Sequence, residues 1–175
     1  MTTPAVYSSL LQNFLSEGDS GFCVPLAVAV LLPEVPLDQI KKAFEEAGRI
    51  KRRGTNLLVL RKALASLGYA LMQIRDSSFI QTYPGVHKKL RAVTSLHPKR
   101  FKKSFEGRNL LFWGNSHTWA MKDGEVQDWA HTRSLRVNLI WEIIPKHPDG
   151  KGGEIYREEE LLHLRSFDYE NRKWV

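Results

Sequence analysis

The chain has 175 residues, 42% of them hydrophobic, one cysteine and a formal net charge of +7. That length can bury one substantial core without metal or cross-link, and a single cysteine excludes an internal disulfide framework. The longest apolar run, Val24 to Leu32, is far short of the roughly 20 residues a membrane span needs, and no N-terminal stretch resembles a signal peptide. The expectation is a soluble cytoplasmic protein with no membrane contact.

The first informative segment is the polar run GDSGF, which leads into Cys23 and then VPLAVAVLL. A helix that is apolar all round is a buried one. Pro25 falls in its first turn, where a missing N–H costs little, and Pro33 and Pro36 stop it. A second helix follows in PLDQIKKAFEEAG, with Leu37, Ile40, Phe44 and Ala47 on one face and Gly48 as terminator. After the basic loop GRIKRRG, TNLLVLRKALASLG predicts a third. Thr55 or Asn56 is its N-cap, Leu57, Leu60, Leu64 and Leu67 are its stripe, and Gly68 is its C-terminal cap.

Tyr69 to Ile74 reads as a strand, Val86 to Leu96 as a basic helix ended by Pro98, and Lys99 to Gly107 as a loop. Asn109–Trp113, His117–Met121, Glu125–Trp129 and Arg136–Ile143 read as strands, the last with alternation around Val137, Leu139 and Trp141. His147–Gly153 reads as a glycine-rich linker, Tyr156–Leu164 as a helix, and Asp168–Val175 as a frayed end. Helices followed by strands predict an α+β fold, with N-terminal helices packed on an antiparallel β-sheet. The expected division is a domain over 1–145 and a C-terminal extension over 146–175 that packs on it or is partly flexible.

Charge is uneven. Lys41 to Lys62 carries eight basic residues against two acidic ones, and His87 to Arg108 carries eight against one. Such clusters are ordinarily the solvated faces of helices. They also suit nucleic acid or an acidic protein, and KRFKKSF interleaves aromatic rings with positive charge.

Asp123-Gly124 is a two-residue turn signal for a type I′ hairpin, and it sets a register in which Trp119 faces Asp128 and His117 faces Ala130. His117, Trp119 and Asp128 then share one sheet face, and side chains of diagonal neighbours can meet. An imidazole oriented by a carboxylate is the result. With Cys23 at a helix start, where the dipole and an imidazolium lower a thiol pKa, these are the parts of a Cys-His-Asp site. Taken one at a time, a lone cysteine beside apolar residues is an inert core residue and a strand histidine is structural, so both readings stand.

The segments CVPLAVAVLL, RGTNLLVLRKALASLG and HTWAMKDGEVQDW together resemble the papain-like cysteine peptidase superfamily, and in particular small peptidase-like proteins of bacteriophages and bacteria. The resemblance covers about Gly18 to Ile144. It implies a papain-like fold, a catalytic Cys23 and His117, Asp128 as the orienting residue, and, for a phage-encoded chain, a location in the host cytoplasm. Glu17 stands where such enzymes commonly supply an oxyanion glutamine, and Phe22 where an Asp or Asn often precedes the cysteine. A carboxylate donates no hydrogen bond unless protonated. The oxyanion candidates are therefore Asp19, Ser20 and Gln12, with Asn13 beside them.

The leading expectation is a thiol hydrolase that cleaves a peptide or isopeptide bond through an acyl-enzyme on Cys23 with His117 as base. Acyltransferase and deubiquitinase-like activities use the same parts. The rival is a non-catalytic phage host-interaction protein that binds nucleic acid or an acidic protein through its basic surfaces. His147 and Asp149 in HPD have no companion pair at metal-ligand spacing, and RRGT lacks a phosphate-loop pattern. No metal and no organic cofactor are expected.

Overall fold

The computed structural model describes residues 4–74, 107–114, 117–128 and 137–175. Four helices come first: α1 (Pro4–Ser16), α2 (Cys23–Leu31), α3 (Leu37–Glu46) and α4 (Leu57–Leu67). The strands follow as β1 (Tyr69–Gln73), β2 (Asn109–Gly114), β3 (Thr118–Lys122), β4 (Glu125–Gln127) and β5 (Val137–Pro145). The chain closes with β6 (Ile155–Arg157), the short helix α5 (Glu158–Leu161), β7 (Phe167–Asp168) and β8 (Lys173–Trp174).

Local chemistry explains the helices. Val24 through Leu31 are all buried, so α2 is the central rod of the helical layer. Asn56 caps α4 by accepting from the Val59 N–H at 2.9 Å, and Gly68 closes it in the left-handed conformation. In α3, Ile40, Ala43 and Phe44 point inward and Lys42 and Glu46 outward. The helix α1 stands where no element was expected. Tyr7, Leu10, Leu11 and Phe14 line its inner side, and the Phe14 ring stacks on Phe22 at 5.3 Å.

The main sheet has the order β4-β3-β2-β5-β1-β6. Five strands pair antiparallel, but β6 lies parallel to β1, with Leu71 opposite Ile155, so the sheet is mixed and the expected all-antiparallel arrangement is corrected. Strand alternation divides its side chains. Leu71, Leu111, Ala120, Trp141 and Ile143 face the helices, while Met72, Leu110, Phe112, Trp119, Met121, Ile140 and Ile144 face the other way.

The C-terminal segment meets that second face. Leu161 and Phe167 are buried in it, and Trp174 donates through Nε1 to the Pro145 carbonyl at 2.8 Å. The expected helix over Tyr156–Leu164 is shortened to one turn by β6, and the expected frayed end forms the β7–β8 hairpin. The glycine-rich stretch before β6 is tied down too. Gly153 donates to Tyr69 O at 2.8 Å, its own carbonyl accepts from Arg61 Nε at 2.8 Å, and a Cβ there would sit 2.3 Å from the Arg61 carbonyl oxygen. Two arginines and two glutamates join the segment to the sheet. Arg108 donates to Glu142 at 2.9 Å and to Glu158 at 3.2 Å, and Arg172 reaches Glu142 at 3.4 Å. Tyr169 bonds to Glu158 and lies under the Arg172 guanidinium at 4.0 Å.

The expected helix over Val86–Leu96 and nearly all of the Lys99–Gly107 loop lie outside the described residues, as do Trp129 and His131.

Candidate functional site: a buried ion pair beside a basic loop

The β3–β4 turn forms as its chemistry requires. Asp123 and Gly124 have φ of 52° and 80°, and Met121 faces Val126. Continuing that register sets Trp119 opposite Asp128 and His117 diagonal to it. His117 Nε2 lies 2.7 Å from Asp128 Oδ1, and the two side chains are 6% and 3% exposed. The imidazole also stacks on Trp119 at 5.8 Å. Burial alone disfavours a charged ring. It is outweighed by the hydrogen bond to Asp128, by the Cys23 sulfur beside the ring and by the charges of both, so the His117 pKa rises to about 9.

At neutral pH His117 is therefore a buried cation held by Asp128. This corrects the expected catalytic role. His117 is engaged by Asp128 in a buried salt bridge, and that pairing replaces the expected hydrolase arrangement in which His117 serves as base to Cys23. The cysteine-peptidase, acyltransferase and deubiquitinase-like activities go with it. Cys23 itself is a half-buried free thiol at the first position of α2.

The loop before Cys23 has an organisation that the sequence did not announce. Asp19 is 4% exposed and collects four hydrogen bonds or ion-pair contacts. Its Oδ2 lies 2.7 Å from Arg49 Nη1, and its Oδ1 accepts from Arg49 Nη2 at 2.9 Å, from the Arg52 N–H at 3.0 Å and from the Gly21 N–H at 3.1 Å. Burial pushes the Asp19 carboxyl up, but Arg49 and the two backbone donors outweigh it and the pKa ends lowered. One carboxylate thus fastens the Gly18–Phe22 loop to the Arg49–Arg53 loop. The fit is close, since a Cβ on Gly21 would stand 2.3 Å from the Arg53 carbonyl oxygen. Arg52 Nε also donates to the Gly18 carbonyl at 3.0 Å.

The other oxyanion candidates are scattered. Ser20 is exposed in the loop and Gln12 is exposed on α1. Asn13 bonds to Lys41, and Glu17 pairs with Lys41 at 2.7 Å and with Lys51 at 3.7 Å. The hydrogen bond to Lys41 is the leading reason that the Glu17 pKa is lowered.

Of the two basic clusters, Lys41–Lys62 is described. The Ile50–Gly54 stretch is exposed throughout, and Arg52 and Arg53 carry no salt bridge among the described residues. In the second cluster only Gly107 and Arg108 are described, and Arg108 is buried in the ion pairs under the C-terminal segment. Among the described residues no group of three or more His, Cys, Asp or Glu is placed to hold a metal ion, and no helix is long and apolar enough to cross a membrane. Comparison with protein-family models, with curated proteins and with solved structures finds no match to the chain.

Proposed function

We propose that this protein binds an anionic macromolecule through the basic strip that runs from Lys41 into α4, and that it does so as a binding protein. The observation that carries this reading is the Asp19 clamp. By spending one buried carboxylate on Arg49 and on the Arg52 backbone, the fold fixes the loop's path, and the Arg52 and Arg53 side chains are left exposed beside the start of α2. A pre-shaped basic loop loses less entropy on binding than a floppy one. Like charge on the partner's face is what it would reject. A helical layer laid on a sheet is also in keeping with a papain-like scaffold, and we place that kinship in the same proposal, as a scaffold put to holding a partner.

Fluorescence anisotropy with labelled polyglutamate and with a labelled single-stranded oligonucleotide tests the strip. Affinity for at least one of them is expected to fall steeply as salt rises, and Arg52→Glu with Arg53→Glu is expected to weaken it by about tenfold or more. Binding that ignores both salt and the double variant would remove the proposal.

A further inference from the structure

The strip is not uniformly basic. Ile50 is 58% exposed in the loop and Leu58 is 57% exposed in the first turn of α4, each among the largest exposures of an apolar side chain among the described residues. They open and close one stretch of chain, with Lys51, Arg52 and Arg53 between them. On α4, Leu58 and Lys62 are both exposed and stand one helical turn apart, so apolar and basic side chains share that face as well.

We infer that the partner of this strip is an acidic protein segment that also presents apolar side chains to Ile50 and Leu58. This rests on the binding role proposed above. Charge complementarity chooses an acidic partner, and three observations choose protein over nucleic acid. The first is that the strip itself offers no exposed ring among the described residues: the aromatic residue between Lys41 and Lys62 is Phe44, which is 1% exposed. Single-stranded nucleic acid is gripped largely by bases stacking on exposed rings.

The second is that half of the strip's charge is already answered. Lys41 and Lys51 pair with Glu17, Arg49 with Asp19 and Lys42 with Glu46 at 3.8 Å, which leaves Arg52, Arg53, Arg61 and Lys62 without a carboxylate among the described residues. Duplex binding typically neutralises about 6–10 phosphates. The third is the pair of exposed aliphatic side chains, which gain nothing from a phosphate backbone and something from an apolar partner. Covering the exposed part of one such side chain gives about fivefold in affinity.

The test uses the full-length protein and four probes of matched charge: a polyglutamate peptide, a peptide with the same number of glutamates and two added leucines, a single-stranded oligonucleotide and a duplex. The leucine-bearing peptide is expected to bind at least fivefold more tightly than polyglutamate. In an Ile50→Asn, Leu58→Asn variant that advantage is expected to vanish while polyglutamate binding stays as it was. Both positions are exposed, and an unchanged melting temperature would confirm that the variant folds. Equal affinity for the two peptides, an advantage that survives the variant, or an oligonucleotide that outbinds both peptides would each overturn the inference and leave the basic strip standing. Failure of the strip itself has a different signature, because Arg52→Glu with Arg53→Glu would then alter no probe at all.

Discussion

Among the described residues, the buried ion pairs around Asp19 and around Glu142 tie separate parts of the chain together, and they are built differently. In the helical layer, Asp19 is a single carboxylate saturated by one guanidinium and two backbone N–H groups. Beneath the C-terminal segment, Glu142 and Glu158 share Arg108, and Glu142 also takes Arg172. The first arrangement fixes backbone, since two of its donors are main-chain groups on two loops. The second fixes elements, because every partner is a side chain and each charge has another within reach. A saturated hub has no substitute when its centre is lost, whereas a network keeps some of its pairing. Burial also acts unequally, for the Asp19 pKa is lowered whereas desolvation of Glu142 outweighs Arg108 and Arg172 and its pKa is raised.

The largest loss of stability is expected at the hub. Asp19→Ala leaves the Arg49 guanidinium, whose side chain is 5% exposed, buried without its counter-ion, and is expected to cost about 4 kcal/mol in urea denaturation. The same variant is expected to raise amide exchange in the Arg49–Arg53 loop. A cost under about 1 kcal/mol would show that the clamp is dispensable.

Glu142→Gln is expected to cost less, about 2 kcal/mol, because Arg108 retains Glu158 and the amide oxygen still accepts a hydrogen bond. Equal losses at the two sites would erase the distinction between hub and network.

A pH-dependent effect belongs to His117, which Asp128 holds with the Cys23 sulfur beside the ring. Its pKa rises in the fold from an ordinary 6.5 to about 9, so the stability it contributes is fully present below about 6.5 and is lost as pH rises through about 9. The loss is expected to be on the order of 2 kcal/mol across that window in wild type, and to shrink sharply in Asp128→Asn. A flat stability curve between those pH values would argue that the ring is neutral in the folded protein.

Much of the helical layer was legible because its signals are local. Asn56, Gly68 and the leucine stripe of α4 lie within one short stretch, and Pro25 with Pro33 brackets α2. The helix α1 carried a comparable signal. Tyr7, Leu10, Leu11 and Phe14 recur at helical spacing between Pro4 and Gly18. The hairpin register was legible for the same reason, since Asp123-Gly124 sets it in place. It led correctly to the meeting of His117 with Asp128 and wrongly to the use made of it, because sequence does not display that the pair is a buried salt bridge.

The Asp19 clamp was not legible. Its partners Arg49 and Arg52 lie far along the chain, and an aspartate in a polar loop ahead of a helix reads as an ordinary turn residue. The strands β6, β7 and β8 were missed because two or three residues hold no period. They are placed by ion pairs and by the ring of Trp174 against Phe167 and Tyr156, which no alternation announces.

The parallel seam between β1 and β6 has a consequence for the order of folding. Leu71 waits for Ile155, a partner made long after it, so a growing polypeptide can stack its helices early but cannot finish this sheet until Ile155 has emerged. Until then the outer edge of β1 is open, with its hydrogen-bonding groups offered to any passing strand. Closing that edge falls to Ile155, Tyr156 and Arg157.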